Sequence, residues 1–236
     1  MKYQSIFFDL DGTLLPMDND VFTKGYLTLL AGAVAHLGYE PKSMIDAMWK
    51  GVAAMVQNDR KRTNDQVFWE VFSNLLGLGR KVYEHIPYFD AFYSDGFHGA
   101  KIYTAPTPLA DRAVTLAREK ADKVVLATNP FFPRVAVDAR LSWAEIAPER
   151  FDLITSYENA GCCKPNPAYY TEICEKLDLD PAQCLMVGNN AEEDIRAAQA
   201  AGLSTFLLTD CLIAEGELPE GPQGDFQTLI AYLENL

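Results

Sequence analysis

Ser5-Ile6-Phe7-Phe8-Asp9-Leu10-Asp11-Gly12-Thr13 joins a short apolar run directly to an acidic turn. Continuous apolar runs of this length, broken by turn residues, are how strands buried on both faces read. The pattern recurs down the chain. Lys123-Val124-Val125-Leu126-Ala127 ends in Thr128-Asn129-Pro130, and Phe151-Asp152-Leu153-Ile154-Thr155 runs into a polar segment. Cys184-Leu185-Met186-Val187 ends in Gly188-Asn189-Asn190, and Thr205-Phe206-Leu207-Leu208 ends in Thr209-Asp210.

Helical signals lie between most of these runs. Tyr170, Ile173, Cys174 and Leu177 recur at i, i+3, i+4 and i+7, with Pro167 just ahead, where a helix start tolerates it. Leu109 to Ala117 opens after Thr107-Pro108, and Glu192 to Ala201 is acidic at its start with Gly202 placed to end it. Strands alternating with helices predict an α/β fold with a doubly wound, Rossmann-like parallel sheet. Ligands of such sheets sit beyond the carboxyl ends of the strands, where the polar clusters of this chain fall.

Residues 16–99 break the alternation. They carry four helical patterns and no strand: Tyr26/Leu29/Leu30/Ala33/Val34/Leu37, Ile45/Met48/Val52/Met55/Val56, Phe68/Val71/Phe72/Leu75 and Val82/Ile86/Phe89. Gly38 to Pro41, Asn58 to Asn64 and Gly77-Leu78-Gly79 read as helix–helix links. The expected organisation is a core of residues 1–15 and 100–236 with an all-helical cap, 16–99, inserted after the first strand. The short stretch between Thr128 and Lys164 leaves little room for a second cap.

Composition narrows the function. The 236 residues are 49% hydrophobic and 22% charged, with a formal net charge of −13. That excludes bulk attraction to nucleic acid or an anionic membrane, and a phosphorylated ligand would need a local positive site. The N-terminal apolar stretch is too short for a signal sequence or a membrane span. The five cysteines fall in no zinc-ligand spacing, so reduced thiols and a cytoplasmic location are expected.

Taken alone, Asp9-Leu10-Asp11-Gly12 is either an ordinary acidic turn or a pair of carboxylates brought to one cavity by the turn at Gly12. Order along the chain decides for the second reading. After the successive strand-like runs come Thr128-Asn129, then Lys164-Pro165-Asn166-Pro167, then Gly188-Asn189-Asn190-Ala191-Glu192-Glu193-Asp194. With Asp9-Leu10-Asp11-Gly12-Thr13 at their head, these four motifs closely resemble those of the haloacid dehalogenase superfamily over essentially the whole chain.

The resemblance implies a Mg²⁺-dependent hydrolase acting on a small phosphate monoester. Asp9 would attack phosphorus and form an aspartyl-phosphate. Asp11 would protonate the leaving oxygen and then activate water. Thr128 would hold phosphoryl oxygens, with Gly12 and Asn129 beside the substrate, and Lys164 would neutralise nucleophile and phosphate. Asp9, Asp11, Asn189 and Asp194 match the metal-binding positions. Physical chemistry asks for the same inventory, since bringing an anionic carboxylate to an anionic phosphate demands countercharge. Asp11 argues against carbon–halogen and carbon–phosphorus cleavage, because family members performing those reactions lack a carboxylate there.

Asn189 departs from the family pattern, which has Asp at that place. It is either a neutral metal ligand or the cap of the following helix, and Glu193 could supply the missing carboxylate. A phosphomutase or phosphotransferase acting on a sugar phosphate, and a weakly active phosphate-ligand-binding protein, are the alternatives. Asp59-Arg60-Lys61-Arg62 reads as a solvated loop or as a source of one cation reaching the substrate. Phe131-Phe132-Pro133 either floors a leaving-group pocket or packs on the next helix. Cys162-Cys163 and the Met44/Met48/Met55 stripe read as packing.

Overall fold

The computed structural model describes residues 3–236. Each of the five apolar runs forms a strand: β1 (Tyr3–Phe8), β2 (Ala121–Leu126), β3 (Leu153–Ile154), β4 (Cys184–Gly188) and β5 (Ser204–Leu208). A short sixth strand, β6 (Gln223–Gly224), has no apolar run to announce it. Among the described residues they make one parallel sheet in the order β3-β2-β1-β4-β5-β6.

Burial explains why the runs are apolar throughout. Ile6 and Phe8 of β1 enter one hydrophobic cluster and Phe7 enters the other, on the opposite face. Val124 and Leu126 alternate with Val125 in the same way, as do Leu185 and Val187 with Met186. Side chains of a strand point to alternate faces, so covering both faces calls for apolar residues at every position. The first face is covered by α5 (Pro108–Lys120), α6 (Arg134–Trp143) and α9 (Phe226–Glu234). The second is covered by α7 (Ala168–Leu177) and α8 (Ala197–Ala200).

Between β1 and β2 the chain builds α1 (Asn19–Ala33), α2 (Pro41–Val56), α3 (Asn64–Leu75) and α4 (Val82–Ser94), followed by a 3₁₀ stretch, Gly96–Tyr103. Asp18 caps α1 by accepting from the N–H groups of Asp20 and Val21, each at 3.0 Å. Phe72 and Phe89 are buried among Met44, Met48, Met55 and Trp69, so the methionine stripe is core. This helical stretch leaves and rejoins the sheet at one place. Met17 and Thr104 form an antiparallel bridge, and Ala105 N–H donates to Pro16 O at 2.8 Å. The helical geometry therefore runs a few residues past position 99, to Tyr103.

Among the described residues no helix is long and apolar enough to cross a membrane.

Candidate active site

The sheet order changes direction at β1, where β2 lies on one side and β4 on the other. Adjacent loops leave the strand ends there in opposite directions and open a crevice. Asp9 is the first residue past β1, anchored by its N–H donating to Val187 O of β4 at 3.0 Å. Gly12 follows with φ +84, and a Cβ at that position would lie 2.4 Å from the Asn189 amide nitrogen. Glycine is required there both by the left-handed backbone and by the close approach of the β4 loop.

Lys164 draws three of the loops together. Its Nζ donates to Asp9 Oδ1 at 2.9 Å and to Asp194 Oδ1 at 2.6 Å, and its side chain is fully buried. Burial works against the ammonium, but the Asp194 and Asp9 carboxylates outweigh it and hold the Lys164 pKa well above its ordinary value. The second oxygen of Asp194 accepts from Asn190 N–H at 2.9 Å. Gly188 makes room for that carboxylate, since a Cβ there would stand 2.3 Å from it. Thr128 is buried and lines the same cavity as Asp9. Its carbonyl is fixed by the hydroxyls of Thr155 (2.7 Å) and Tyr169 (2.8 Å).

Asn129 acts on protein partners at both ends of its amide. Nδ2 donates to Glu193 Oε2 at 2.9 Å and to Lys164 O at 3.3 Å, and Oδ1 accepts from Lys164 N–H at 3.2 Å. It ties the loops after β2, β3 and β4 at the cavity wall. Asn189 is similarly engaged: Oδ1 accepts from the Thr13 hydroxyl at 2.9 Å, and Nδ2 donates to Cys211 O at 2.6 Å. The helix cap that Asn189 was offered for is made by its neighbour. Asn190 Oδ1 accepts from Glu192 and Glu193 N–H at 3.0 and 3.1 Å.

Asp11 faces a partner that the motifs do not contain. Arg140 of α6 is completely buried, donates through Nη1 to Asp11 Oδ2 and through Nε to Ala136 O at 3.2 Å, and stacks on the Phe132 ring at 4.2 Å. Asp11 Oδ1 and Arg140 Nη2 are both buried with no hydrogen-bond partner, so the pair is held by a single bond. Burial raises the Asp11 pKa from its ordinary value, and Arg140 only partly offsets this. Arg140 has one signal in the sequence: it is the lone charge in the register Ala136, Val137, Arg140, Leu141, all of which are buried. Tyr170 was legible only as part of an apolar helix face, yet its hydroxyl donates to Glu193 O at 2.8 Å.

The cavity above these groups holds about 250 Å³. Phe131, Phe132 and Pro133 line it, and Phe132 also packs on Tyr26 and Phe97, so this segment both floors the pocket and packs. The basic loop does not reach it. Arg60 pairs with Glu172 at 3.6 Å and with Glu175, Arg62 pairs with Glu70, and Lys61 pairs with Asp59 at 2.5 Å. Cys162 and Cys163 are buried free thiols, and burial pushes Cys162 up to about 11, which suits packing and not reactivity.

For a hard divalent cation, the oxygen donors lining the cavity include the carboxylates of Asp9, Asp11, Glu193 and Asp194 and the amide oxygen of Asn189. Among the described residues no group of three or more carboxylate, imidazole or thiol side chains has metal-site spacing. Mg²⁺ seeks one or two carboxylates plus water and substrate phosphate, and the oxygen set and the unpartnered buried Asp11 oxygen are compatible with it.

Comparison with known proteins fits this geometry. The model of the haloacid dehalogenase-like hydrolases matches residues 3–202. The chain belongs to that family. It is 27% identical over 213 residues to a phosphoglycolate phosphatase of Neisseria gonorrhoeae, covering 87% of this chain and 80% of that one. Its fold is similar to that of a 2-haloacid dehalogenase from Pseudomonas syringae, with TM-score 0.64, 18% identity and 99% of each chain covered. It is also similar to the HAD-hydrolase YfnB of Bacillus subtilis bound to magnesium, with TM-score 0.57, 18% identity and 99% of each chain covered. At such identities the two structures testify to the fold alone. The family makes this chain a hydrolase, as its motifs implied.

Proposed function

We propose that this hydrolase is a Mg²⁺-dependent phosphatase that cleaves a small phosphate monoester through a covalent intermediate on Asp9. The observation that carries the reading is the single buried Lys164 ammonium bonded to Asp9 and Asp194, two carboxylates that line the cavity. That arrangement orients one carboxylate and supplies the countercharge a phosphoryl group needs. Relatives named phosphoglycolate phosphatase, at 26–27% identity, support the same class of ester.

In the first step an Asp9 oxygen forms a bond to phosphorus as the ester P–O bond breaks, and Asp11 passes a proton to the departing alkoxide oxygen. In the second, Asp11 takes a proton from water, whose oxygen attacks the phosphorus and releases phosphate and the Asp9 carboxylate. The raised pKa of Asp11 suits its first role, and the unpartnered Oδ1 is free to exchange the proton. Arg140 is the positioning residue that fixes Asp11 through Oδ2. Lys164 neutralises phosphate charge, with Thr128 placed to bind phosphoryl oxygens. Asp9, Asp194 and the Asn189 carbonyl oxygen would hold Mg²⁺, which supplies further charge neutralisation on the phosphate. Asp11, bonded to Arg140 through Oδ2, offers that set only its free Oδ1.

Helices α1 to α4 act in this reading as a cap, residues 16–99, closing over a core of 1–15 and 100–236 and excluding water. The substrate is a small metabolite and the setting is the cytoplasm. Asp9→Asn tests the reading. Phosphate release across a panel of phosphomonoesters with Mg²⁺ should fall by about 10³-fold or more while the melting temperature is kept. Retention of even a tenth of the activity would remove Asp9 as the nucleophile.

A further inference from the structure

We infer that the alcohol released by this enzyme is uncharged and apolar, with room and surface for an aromatic ring, and is not a carboxylated alcohol such as glycolate. The inference rests on the phosphatase reading and concerns the half of the cavity that the phosphate does not occupy.

That half is walled by Phe22 and Tyr26 from α1, Trp69 from α3, Tyr93 from α4, and Phe132 from the loop after β2. Among the described residues, none that lines the cavity is a lysine, arginine or histidine. The cations that might have served are engaged elsewhere. Arg140 lies fully buried against the Phe132 ring and is bonded to Asp11. Arg60 and Arg62 are bonded to glutamates outside the cavity. Lys164 sits between two carboxylates at the phosphate end.

A carboxylate drawn into this space would shed its water and find no cation to pair with, and burying a charge without a counter-ion is strongly unfavourable. The lining carboxylates, Asp9, Asp11, Glu193 and Asp194, would repel it further. All four come from the segments that follow β1 and β4, so the helices that wall the aromatic half contribute no carboxylate to its lining for an ammonium group to pair with. Its polar contributors are neutral. Tyr26 and Tyr93 are phenols held protonated by burial, and Asn19 and Thr23 carry no charge. An apolar ring gains from burial against such walls and from edge and face contacts with them.

The test uses the full chain with Mg²⁺ and three phosphomonoesters: benzyl phosphate, phosphoglycolate and phosphocholine. The kcat/KM for benzyl phosphate should exceed each of the others by about 100-fold. Phosphoglycolate or phosphocholine at parity or above would overturn the inference while leaving the phosphatase reading intact. Binding of two non-hydrolysable probes, benzylphosphonate and phosphonoacetate, is measured by calorimetry in parallel. Benzylphosphonate should bind at least about tenfold more tightly. If none of the three esters is hydrolysed, the phosphatase reading fails and the binding ratio alone decides: tighter benzylphosphonate sustains the apolar site, whereas tighter phosphonoacetate, or binding of neither, refutes it. Thr23→Arg should narrow the ratio by about tenfold in favour of the carboxylated probe, because it adds the missing cation to the lining; a widened or unchanged ratio counts against the charge argument.

Discussion

Where the cavity meets the sheet, Asp9, Thr128, Lys164 and Asp194 arrive from four separate loops and are locked by buried bonds to one another or to the backbone. Where it meets the helices, Phe22, Tyr26, Trp69 and Tyr93 come from elements that first have to pack among themselves. The sheet end spends charge on charge, and each group there has a defined position. The helical end spends apolar area, and its rings serve as hydrophobic core and as cavity wall at once. A mutation at the first end should therefore act on chemistry and on buried electrostatics, and one at the second on binding.

The comparison is broken most severely by Lys164→Met. It leaves the Asp9 and Asp194 carboxylates buried without their ammonium, and should cost about 3–5 kcal/mol in a denaturant titration besides abolishing turnover. A loss of activity with unchanged stability would mean that the pair contributes nothing to the fold. Arg140→Met comes next. If Arg140 acts by positioning Asp11, kcat on an unactivated alkyl phosphate should fall about 100-fold, but under tenfold on p-nitrophenyl phosphate, whose leaving group needs no proton. Equal losses on both would reduce Arg140 to a packing residue, and partial recovery with Arg140→Lys would sustain the positioning role.

Asn189→Asp probes the same end more gently. The added charge should lower the Mg²⁺ concentration giving half-maximal rate. It should also cost about 1–3 kcal/mol, because the Nδ2 donor to the Cys211 carbonyl is lost and one oxygen is set against another. An unchanged Mg²⁺ requirement would remove Asn189 from the metal shell. The smallest effect belongs to the helical end. Trp49 lines the cavity yet is 52% exposed, so Trp49→Ala should leave stability nearly unchanged. The KM for benzyl phosphate should rise about fivefold with kcat within about twofold. A fall in kcat instead would mean that the helices take part in the chemistry.

Legibility followed the same division. The strand runs were readable because a strand buried on both faces has no polar position, and each site loop sits at the end of such a run. Lys164 and Asp194 were found by that order, and the buried triad they form with Asp9 repeats it in space. The final strand was silent because Gln223–Gly224 carries no apolar side chain and borrows its place from β5. Arg140 was missed because a helix register shows a charge as an interruption and does not show what lies opposite. The basic loop kept two readings open in the sequence because the partners of Arg60 and Arg62, namely Glu172, Glu175 and Glu70, are scattered, and only Lys61 pairs locally, with Asp59.

The amino-acid sequence by itself determined the parallel α/β core, the helical insertion after the first strand, and the acidic and lysine residues at the strand ends. These are local facts of periodicity and turn placement, and each can be read from a few neighbours. Only the tertiary structure decided that Arg140 holds Asp11, that Asn190 and not Asn189 caps its helix, and that no cation reaches the aromatic half of the cavity. The Arg140–Asp11 bond spans 129 residues and Thr13 engages Asn189 across 176, which leaves the local cap to Asn190; pairing at that range is settled by how helices and sheet pack together.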